Sequence, residues 1–240
     1  MTKLRLLYAG ELARLWKYGI AAAGLVVALI WVGVLHYVEP AAVRAILPLV
    51  LFVDATLMAI LYAGVTLVYE SQEHTLKSML VMPISRWEYL FSKSLATVTT
   101  SLTTLALVLT YVSLVKGLNV GILGLLGAVA LLSFTFAQLG IVMTYRARDF
   151  TDLLMSMFVF SFAFAIPTML EFAGILQGRW VELVQYLNPT KNALVLLQAP
   201  VAPVPGRDLA IAVAYILALG ASLHLLTLRW FDRYAMRGDA

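Results

Sequence analysis

The sequence predicts an all-α integral membrane protein, and three observations lead to that prediction. Hydrophobic residues make up 62% of the 240 residues and charged residues only 12%, with a mean hydropathy of +0.91. Soluble domains are about half apolar and about a quarter charged, so this chain has too little charge to cover a water-facing surface. Six apolar runs are long enough to cross a bilayer, which takes about 20 residues. None of these runs alternates in hydrophobicity as the strands of a membrane barrel do.

The six runs predict a single transmembrane domain over residues 1–240. The predicted spans cover residues 18–38, 46–69, 94–115, 120–145, 152–172 and 208–230. The first run is longer than the apolar core of a signal peptide and no small-residue cleavage pattern follows it, so we expect it to remain as a span.

The basic residues predict the orientation of the spans. Twelve of the 17 Lys and Arg residues fall on one side of the predicted membrane: Lys3, Arg5, Arg14, Lys17, Lys77, Arg86, Lys93, Arg146, Arg148, Arg229, Arg233 and Arg237. Five fall on the other: Arg44, Lys116, Arg179, Lys191 and Arg207. Basic loops stay in the cytoplasm, so we expect both termini on the cytoplasmic side. The membrane is expected to be the cell (plasma) membrane. The same asymmetry explains the net charge of +4 without a nucleic-acid partner.

Three further segments are predicted to be helical without crossing the membrane. Residues 2–17 carry Leu and aromatic residues on one face, as an interfacial amphipathic helix would, although an ordinary basic flank would give a similar pattern. Residues 173–207, on the outer side, contain two stretches that are helix-like but too short to cross. Asn188-Pro189 is predicted to form the turn between them. The third segment is the cytoplasmic link between spans two and three.

The cytoplasmic link has a more elaborate pattern than a simple connection needs. Leu76, Met79 and Leu80 follow helical spacing, which predicts a short amphipathic helix, and Pro83 ends it. Ser85-Arg86-Trp87-Glu88 has the form of a capping box, in which the Ser85 hydroxyl and the Glu88 carboxylate each cap the other's backbone N–H group. We therefore predict that a new helix begins at Ser85 and continues into span three, although a decorated loop is the simpler alternative.

The chain lacks the motifs of catalysis and metal binding. Cys is absent, and no P-loop, H-E-x-x-H or G-x-S-x-G motif occurs. The three His residues (36, 74 and 224) are far apart, so a metal site is not expected. We predict no catalytic, cofactor-binding or metal-binding residues in this chain.

One ionisable residue lies well inside a predicted span. Asp54 falls in the outer part of span two, and intramembrane charges usually face a cavity or a partner. The functional hypothesis is a residue that lines the transport pathway; the alternative is that span two starts later and Asp54 lies at the outer interface or caps a neighbouring helix. The same span has Ala55, Ala59 and Ala63 at four-residue spacing, which permits close helix packing, either within the chain or with a second subunit.

The link resembles the corresponding segment of the ABC-2 family, the permease subunits of ATP-binding-cassette exporters. The residues that carry the resemblance are Glu70, Glu73, Thr75, Leu76, Pro83, Ile84, Ser85, Arg86, Glu88, Tyr89 and Lys93. Six spans, an outer helical pair and Asn188-Pro189 before span six also match the family layout. The chain departs from it at Glu70-Ser71-Gln72, where the family often has Glu-Arg-Glu, and at His74, where the family usually has Gly. Drug- and antibiotic-efflux permeases of about this size look most similar.

The resemblance implies a mechanism and a set of partners. Two permease chains, identical or paralogous, would form the pathway for a drug, antibiotic, lipid or other amphipathic substrate. Each would bind a separate ABC ATP-binding subunit, which holds the ATP and Mg²⁺ and hydrolyses the ATP, so the chain is not an enzyme on its own. The link helix would be the coupling helix, with contact residues at Glu70, Glu73, His74, Thr75, Lys77, Pro83, Ser85 and Arg86. The Asn188-Pro189 pair would be the outer turn.

A second hypothesis from another class is a secondary transporter that uses Asp54 as a proton or cation site. Such carriers commonly show internal repeats and broken midplane helices, and neither is evident in the sequence. Transport driven by ATP would favour the exporter, whereas transport driven by a pH gradient would favour the secondary transporter.

Overall fold

The computed structural model describes residues 3–73, 75–76 and 84–236. In this part of the chain all regular elements are helices, and six helices are long and apolar enough to cross a membrane. The predicted class, an all-α protein with six spans, is confirmed. Nine helices are described, and their bounds are α1 Lys3–Lys17, α2 Ile20–Tyr37, α3 Pro40–Gln72, α4 Arg86–Lys116, α5 Ile122–Thr144, α6 Phe150–Phe172, α7 Arg179–Gln185, α8 Pro189–Gln198 and α9 Gly206–Ala235.

Local sequence signals explain where several helices begin and end. Gly19 lies between α1 and α2 with φ at +72°, a conformation that costs glycine little and other residues more. Pro40 stands in the first turn of α3, where a missing N–H group costs nothing. The Asp149 carboxylate accepts a hydrogen bond from the Asp152 N–H group at 2.9 Å and so caps α6.

Two of the spanning helices contain a short π-helical segment. The segment in α3 runs from Val53 to Met58, and the one in α6 from Ser161 to Ala165. A π turn shifts the backbone hydrogen bonds by one residue, and such turns occur frequently at functional sites. In α3 the Thr56 hydroxyl donates to the Phe52 carbonyl oxygen at 2.5 Å. This bond gives the Phe52 carbonyl a partner next to the π-helical hydrogen bonds.

The helices α3 and α5 form the centre of the bundle. They contact each other along much of their length, and α5 also packs against α4 and α9. The helices α2, α6 and α9 leave most of their apolar surface exposed, as expected of helices that face lipid. The central core includes fully buried Leu47, Phe52, Leu105, Leu132 and Phe136.

The small-residue stripe of α3 is used inside this chain. Ala55, Ala59 and Ala63 are fully buried, and α3 approaches α5 so closely that a Cβ atom on Gly140 would lie 2.9 Å from the Ile60 Cα atom. Of the two possibilities that the sequence leaves open, the structure therefore supports packing within the chain.

The helix α1 and the C-terminal end of α9 lie at the same end of the bundle. There α1 meets the last turn of α3, and the start of α4 meets the end of α9, where Arg86 and Asp232 form an ion pair of 2.6 Å. We call this the link end, because residues 73–86 connect α3 to α4 there. The short helices α7 and α8 lie at the opposite end. Their position at a membrane surface, like that of α1, stays a prediction.

Candidate coupling and pathway sites

Only the two ends of the link, residues 73, 75–76 and 84–86, are described by the structure. Leu76 is buried in a cluster with Leu67, Tyr89 and Leu90, so it anchors this part of the link to the bundle. Glu73 is exposed, and the Thr75 hydroxyl donates to the Glu70 carbonyl oxygen at 3.0 Å. His74, Lys77, Met79, Leu80 and Pro83 lie outside the described residues, so the coupling helix itself stays a prediction.

Glu73 is held at the surface by two residues from the N-terminal segment. The Tyr18 hydroxyl donates to its carboxylate at 2.8 Å, and the Lys17 ammonium lies 3.4 Å away. These contacts lower the pKa of the Glu73 carboxyl, the Tyr18 hydrogen bond being the larger cause. Burial, reinforced by the Glu73 hydrogen bond, raises the pKa of Tyr18 to about 12. Glu73 is therefore ionised at neutral pH and remains accessible to a partner.

The predicted capping box at the start of α4 is confirmed. The Glu88 N–H group donates to the Ser85 hydroxyl at 3.2 Å, and the Ser85 N–H group donates to the Glu88 carboxylate at 2.9 Å. Ile84 packs against the buried cluster that contains Tyr89, as a hydrophobic staple requires. Arg86 remains more than half exposed beside Asp232. The capping box therefore fixes the start of α4, with Ser85 as the N-cap residue.

Glu70 lies inside the bundle instead of on the link surface. It is 1% exposed, and its carboxylate contacts Lys93 at 3.0 Å and Arg14 at 2.9 Å. The Tyr89 hydroxyl donates to its second oxygen. Any effect of Glu70 on a separate subunit must therefore pass through the helices that it joins.

Glu11 of α1 completes this network, and the sequence interpretation missed it. Its carboxylate contacts the Lys93 ammonium at 2.9 Å and the Arg14 guanidinium at 2.8 Å. Burial raises the pKa of the Glu11 carboxyl, while Lys93 and Arg14 act in the opposite direction. One signal was available, because Leu7, Glu11 and Leu15 lie four residues apart and so place an acid on the apolar face of α1.

The network brings two acids and two bases together from three helices. Glu11 and Arg14 come from α1, Glu70 from the end of α3 and Lys93 from the start of α4. The Lys93 ammonium also donates to the Thr66 hydroxyl at 3.3 Å. Two positive and two negative charges cancel, and removing one of them would leave a buried charge unpaired. We call Glu11, Arg14, Glu70 and Lys93 the buried ion network.

Asp54 lies in the middle of α3, within its π-helical segment. It is 2% exposed. The helix α3 begins at Pro40, well before Asp54; a role for Asp54 in the pathway, or its place at the outer interface, stays a prediction.

Asn188 and Pro189 form the turn between α7 and α8, as predicted. Asn188 caps α8 by accepting from the Thr190 N–H group at 3.0 Å, and Pro189 follows at the first helical position. The Asn188 side-chain amide also donates to the Phe164 carbonyl oxygen at 3.0 Å. That oxygen lies in the π-helical segment of α6, so the turn is fixed to the span that precedes it.

In the part of the chain that the structure describes, six helices that are long and apolar enough to cross a membrane define the class as a polytopic membrane protein. The sequence profile of the fluoroquinolones export permease protein family matches residues 2–238, and the chain belongs to this family. This membership confirms the resemblance to drug-efflux permeases.

Two curated relatives have the same degree of similarity. One is a fluoroquinolones export permease protein of Mycobacterium tuberculosis strain CDC 1551 / Oshkosh, 27% identical over 215 residues that cover 87% of this chain and 86% of the relative. The other is a fluoroquinolones export permease protein of Mycobacterium tuberculosis strain ATCC 25618 / H37Rv, with the same identity and coverage.

Proposed function

We propose that this chain is the permease subunit of an ABC exporter that moves an amphipathic drug out of the cell, with fluoroquinolones as the first substrates to test. Membership of an export permease family supports the transport role, and the names of the relatives support the substrate class. The ABC partnership is supported by the link, whose described ends have a buried anchor at Leu76, an exposed acid at Glu73 and a capped helix start at Ser85.

In the proposed mechanism, a separate ATPase binds ATP and Mg²⁺ and pushes on the link when it closes. The cap at Ser85 passes this motion into α4. Lys93, about two turns further along α4, passes it to α1 and α3 through its contacts with Glu11 and Glu70. ATP can shift the conformation only by contacts that differ between the two states, so the ATPase must hold the link more tightly in one of them.

The pathway is proposed to form between two permease chains, each with its own ATPase. The stripe at Ala55, Ala59 and Ala63 is buried inside the chain, so it does not form that interface. Mass measurement of the purified complex in detergent should give two permeases and two ATPases. A lone permease that transports after reconstitution would exclude this arrangement.

We also propose that the chain resides in the plasma membrane with the link end in the cytoplasm. Because native Cys is absent, a single introduced Cys reports its side of the membrane. Gln177 lies between α6 and α7, at the exposed opposite end. The variant Gln177→Cys should react with an impermeant maleimide added outside the cell, and labelling only from the cytoplasm would overturn the orientation.

The energy source is the experiment that tests the proposed function. Everted vesicles that contain the chain and its co-purified ATPase should accumulate fluoroquinolone on addition of ATP, even when the pH gradient is collapsed. Accumulation driven by a pH gradient without ATP would instead favour a secondary transporter. If the vesicles accumulate no fluoroquinolone and no other amphipathic substrate, with ATP or with a pH gradient, the result would contradict an export role.

A further inference from the structure

The environment of Asp54 differs from that of the other buried acids. Glu11 and Glu70 are each in contact with a lysine and an arginine. Asp54 forms no ion pair with any residue that the structure describes, although it is 2% exposed. Its Oδ1 atom is buried and lacks a hydrogen-bond partner.

The groups around Asp54 are neutral. The hydroxyls of Ser101 and Thr104 on α4 face its carboxyl group. The phenol of Tyr62, about two turns along α3, is the titratable group described near it. The Ser101 Oγ atom and the Tyr62 hydroxyl are themselves buried without partners, and no charged group of α2, α4 or α5 is described against the carboxyl.

An ionised carboxylate in this position would be very unfavourable, because no water shell and no cation balances its charge. A neutral carboxylic acid fits the same surroundings well. Its O–H group can donate to a neighbouring hydroxyl oxygen, and its carbonyl oxygen can accept from the Ser101 hydroxyl, which otherwise has no acceptor.

The packing favours a proton over a larger ligand. Ser101 is fully buried and Tyr62 is 2% exposed, and a Cβ atom on Gly24 of α2 would lie 2.8 Å from the Tyr62 hydroxyl. Fully buried Ala55 and Leu105 belong to the apolar core of the same two helices. A proton needs no additional volume, whereas a metal or organic cation would have to displace these side chains.

We propose that Asp54 is a proton-binding residue of the membrane domain, which carries a proton while α3 lies against α4 and releases it to water when the two helices separate. Binding forms an O–H bond on a carboxylate oxygen with a proton taken from hydronium, and release returns that proton to water. The π-helical segment fits this role, since it places Asp54 at an irregular turn of an otherwise regular helix. The link between helix separation and export rests on the proposed function; the proton site does not.

Infrared difference spectroscopy of the purified chain in lipid bilayers tests the proton site without an ATPase or a drug. At neutral pH, the spectrum of wild type minus Asp54→Asn should contain the C=O band of a protonated carboxylic acid. The difference isolates Asp54 from Glu11, which is also buried. The control Asp152→Asn removes an exposed acid and should change only carboxylate bands.

The opposite results overturn the inference. A carboxylate band in the Asp54 difference spectrum at neutral pH would show that the residue is ionised. Replacement of the carboxylic acid band by a carboxylate band on addition of Na⁺ would show a metal-cation site instead.

A second variant keeps the test decisive if Asp54→Asn does not accumulate. Ser101→Ala removes a hydroxyl that faces the acid, so it should shift the frequency of the carboxylic acid band while Ser222→Ala, which alters an exposed hydroxyl of α9, leaves it in place. An unshifted band in Ser101→Ala would contradict the assignment to Asp54.

Discussion

Lys93 of α4 and Glu11 of α1 form an ion pair of 2.9 Å, and each side chain is only 1% exposed. The two residues are 82 positions apart in sequence. Burial of a lysine and a glutamate is costly unless both are paired and hydrogen-bonded. The pair therefore fixes α1 to the helix that begins immediately after the link, and Glu70 extends the connection to α3.

The variant Lys93→Met should destabilise the protein strongly. Without the ammonium, Glu11 and Glu70 share only Arg14, and breaking a buried pair typically costs about 3–5 kcal/mol. The measurement is thermal unfolding in detergent, followed by size-exclusion chromatography. The control Lys17→Met removes a lysine that is 65% exposed and should have no measurable effect. Equal melting temperatures for the two variants would contradict the importance of the network.

The variant Gly140→Ala should weaken the packing of α3 on α5. A Cβ atom at this position would clash with the backbone of Ile60, and overpacking of this kind typically costs about 1–3 kcal/mol. Gly127 lies on the same helix with open space around it, so Gly127→Ala is the matched control. It should be neutral or slightly stabilising, because alanine favours helix by about 0.5–1 kcal/mol. A stable Gly140→Ala protein would mean that the two helices are further apart than described.

The variants Asp54→Leu and Asp54→Asn should reduce drug transport without reducing the stability of the protein. Removal of a buried acid without a charged partner should leave the melting temperature unchanged or raise it, since residues tuned for function often reduce stability. Drug export should fall in both variants, while expression and insertion stay normal. Normal transport by both would exclude a role for Asp54 in the pathway.

The variant Ser85→Ala should produce a mild, local defect. Loss of an N-cap hydroxyl costs about 1 kcal/mol, and here it also removes one half of the capping box. Hydrogen exchange at the amides of residues 86–89 should accelerate several-fold, with little change in the middle of α4. Unchanged exchange in the first turn would show that the cap does not determine where α4 begins.

Features that depend on neighbouring residues were predictable from the sequence. Ser85 and Glu88 are three positions apart, and their reciprocal capping follows from that spacing. Asn188 and Pro189 likewise indicate a helix start within a few residues. The number of spans follows from hydropathy, because each crossing requires its own apolar run.

Features that depend on tertiary packing were not predictable. The partners of Glu70 and Lys93 come from other helices, and a single sequence does not show which helices touch. The π-helical segment around Asp54 has no sequence signature, and the burial of Asp54 depends on contacts between helices that a single sequence does not show. The stripe at Ala55, Ala59 and Ala63 indicates close packing but not whether the partner belongs to the same chain, and the structure buries the stripe inside this chain.

The central claim is that residues 73–86 couple this permease to a separate ATPase, and a charge-reversal variant tests it most directly. The double variant Glu73→Arg with Lys77→Glu reverses two charges of the link and changes no span. The matched control is Arg179→Glu with Glu182→Arg, which exchanges two exposed charges of α7 at the opposite end.

The measurement is ATP-driven fluoroquinolone uptake into vesicles that contain permease and ATPase, together with the amount of ATPase that co-purifies. The link variant should insert normally but lose uptake, either because the ATPase dissociates or because it hydrolyses ATP without transport, whereas the α7 variant should retain both activities. Full ATPase binding and full ATP-driven uptake by the link variant would contradict the assignment of residues 73–86 as the coupling segment.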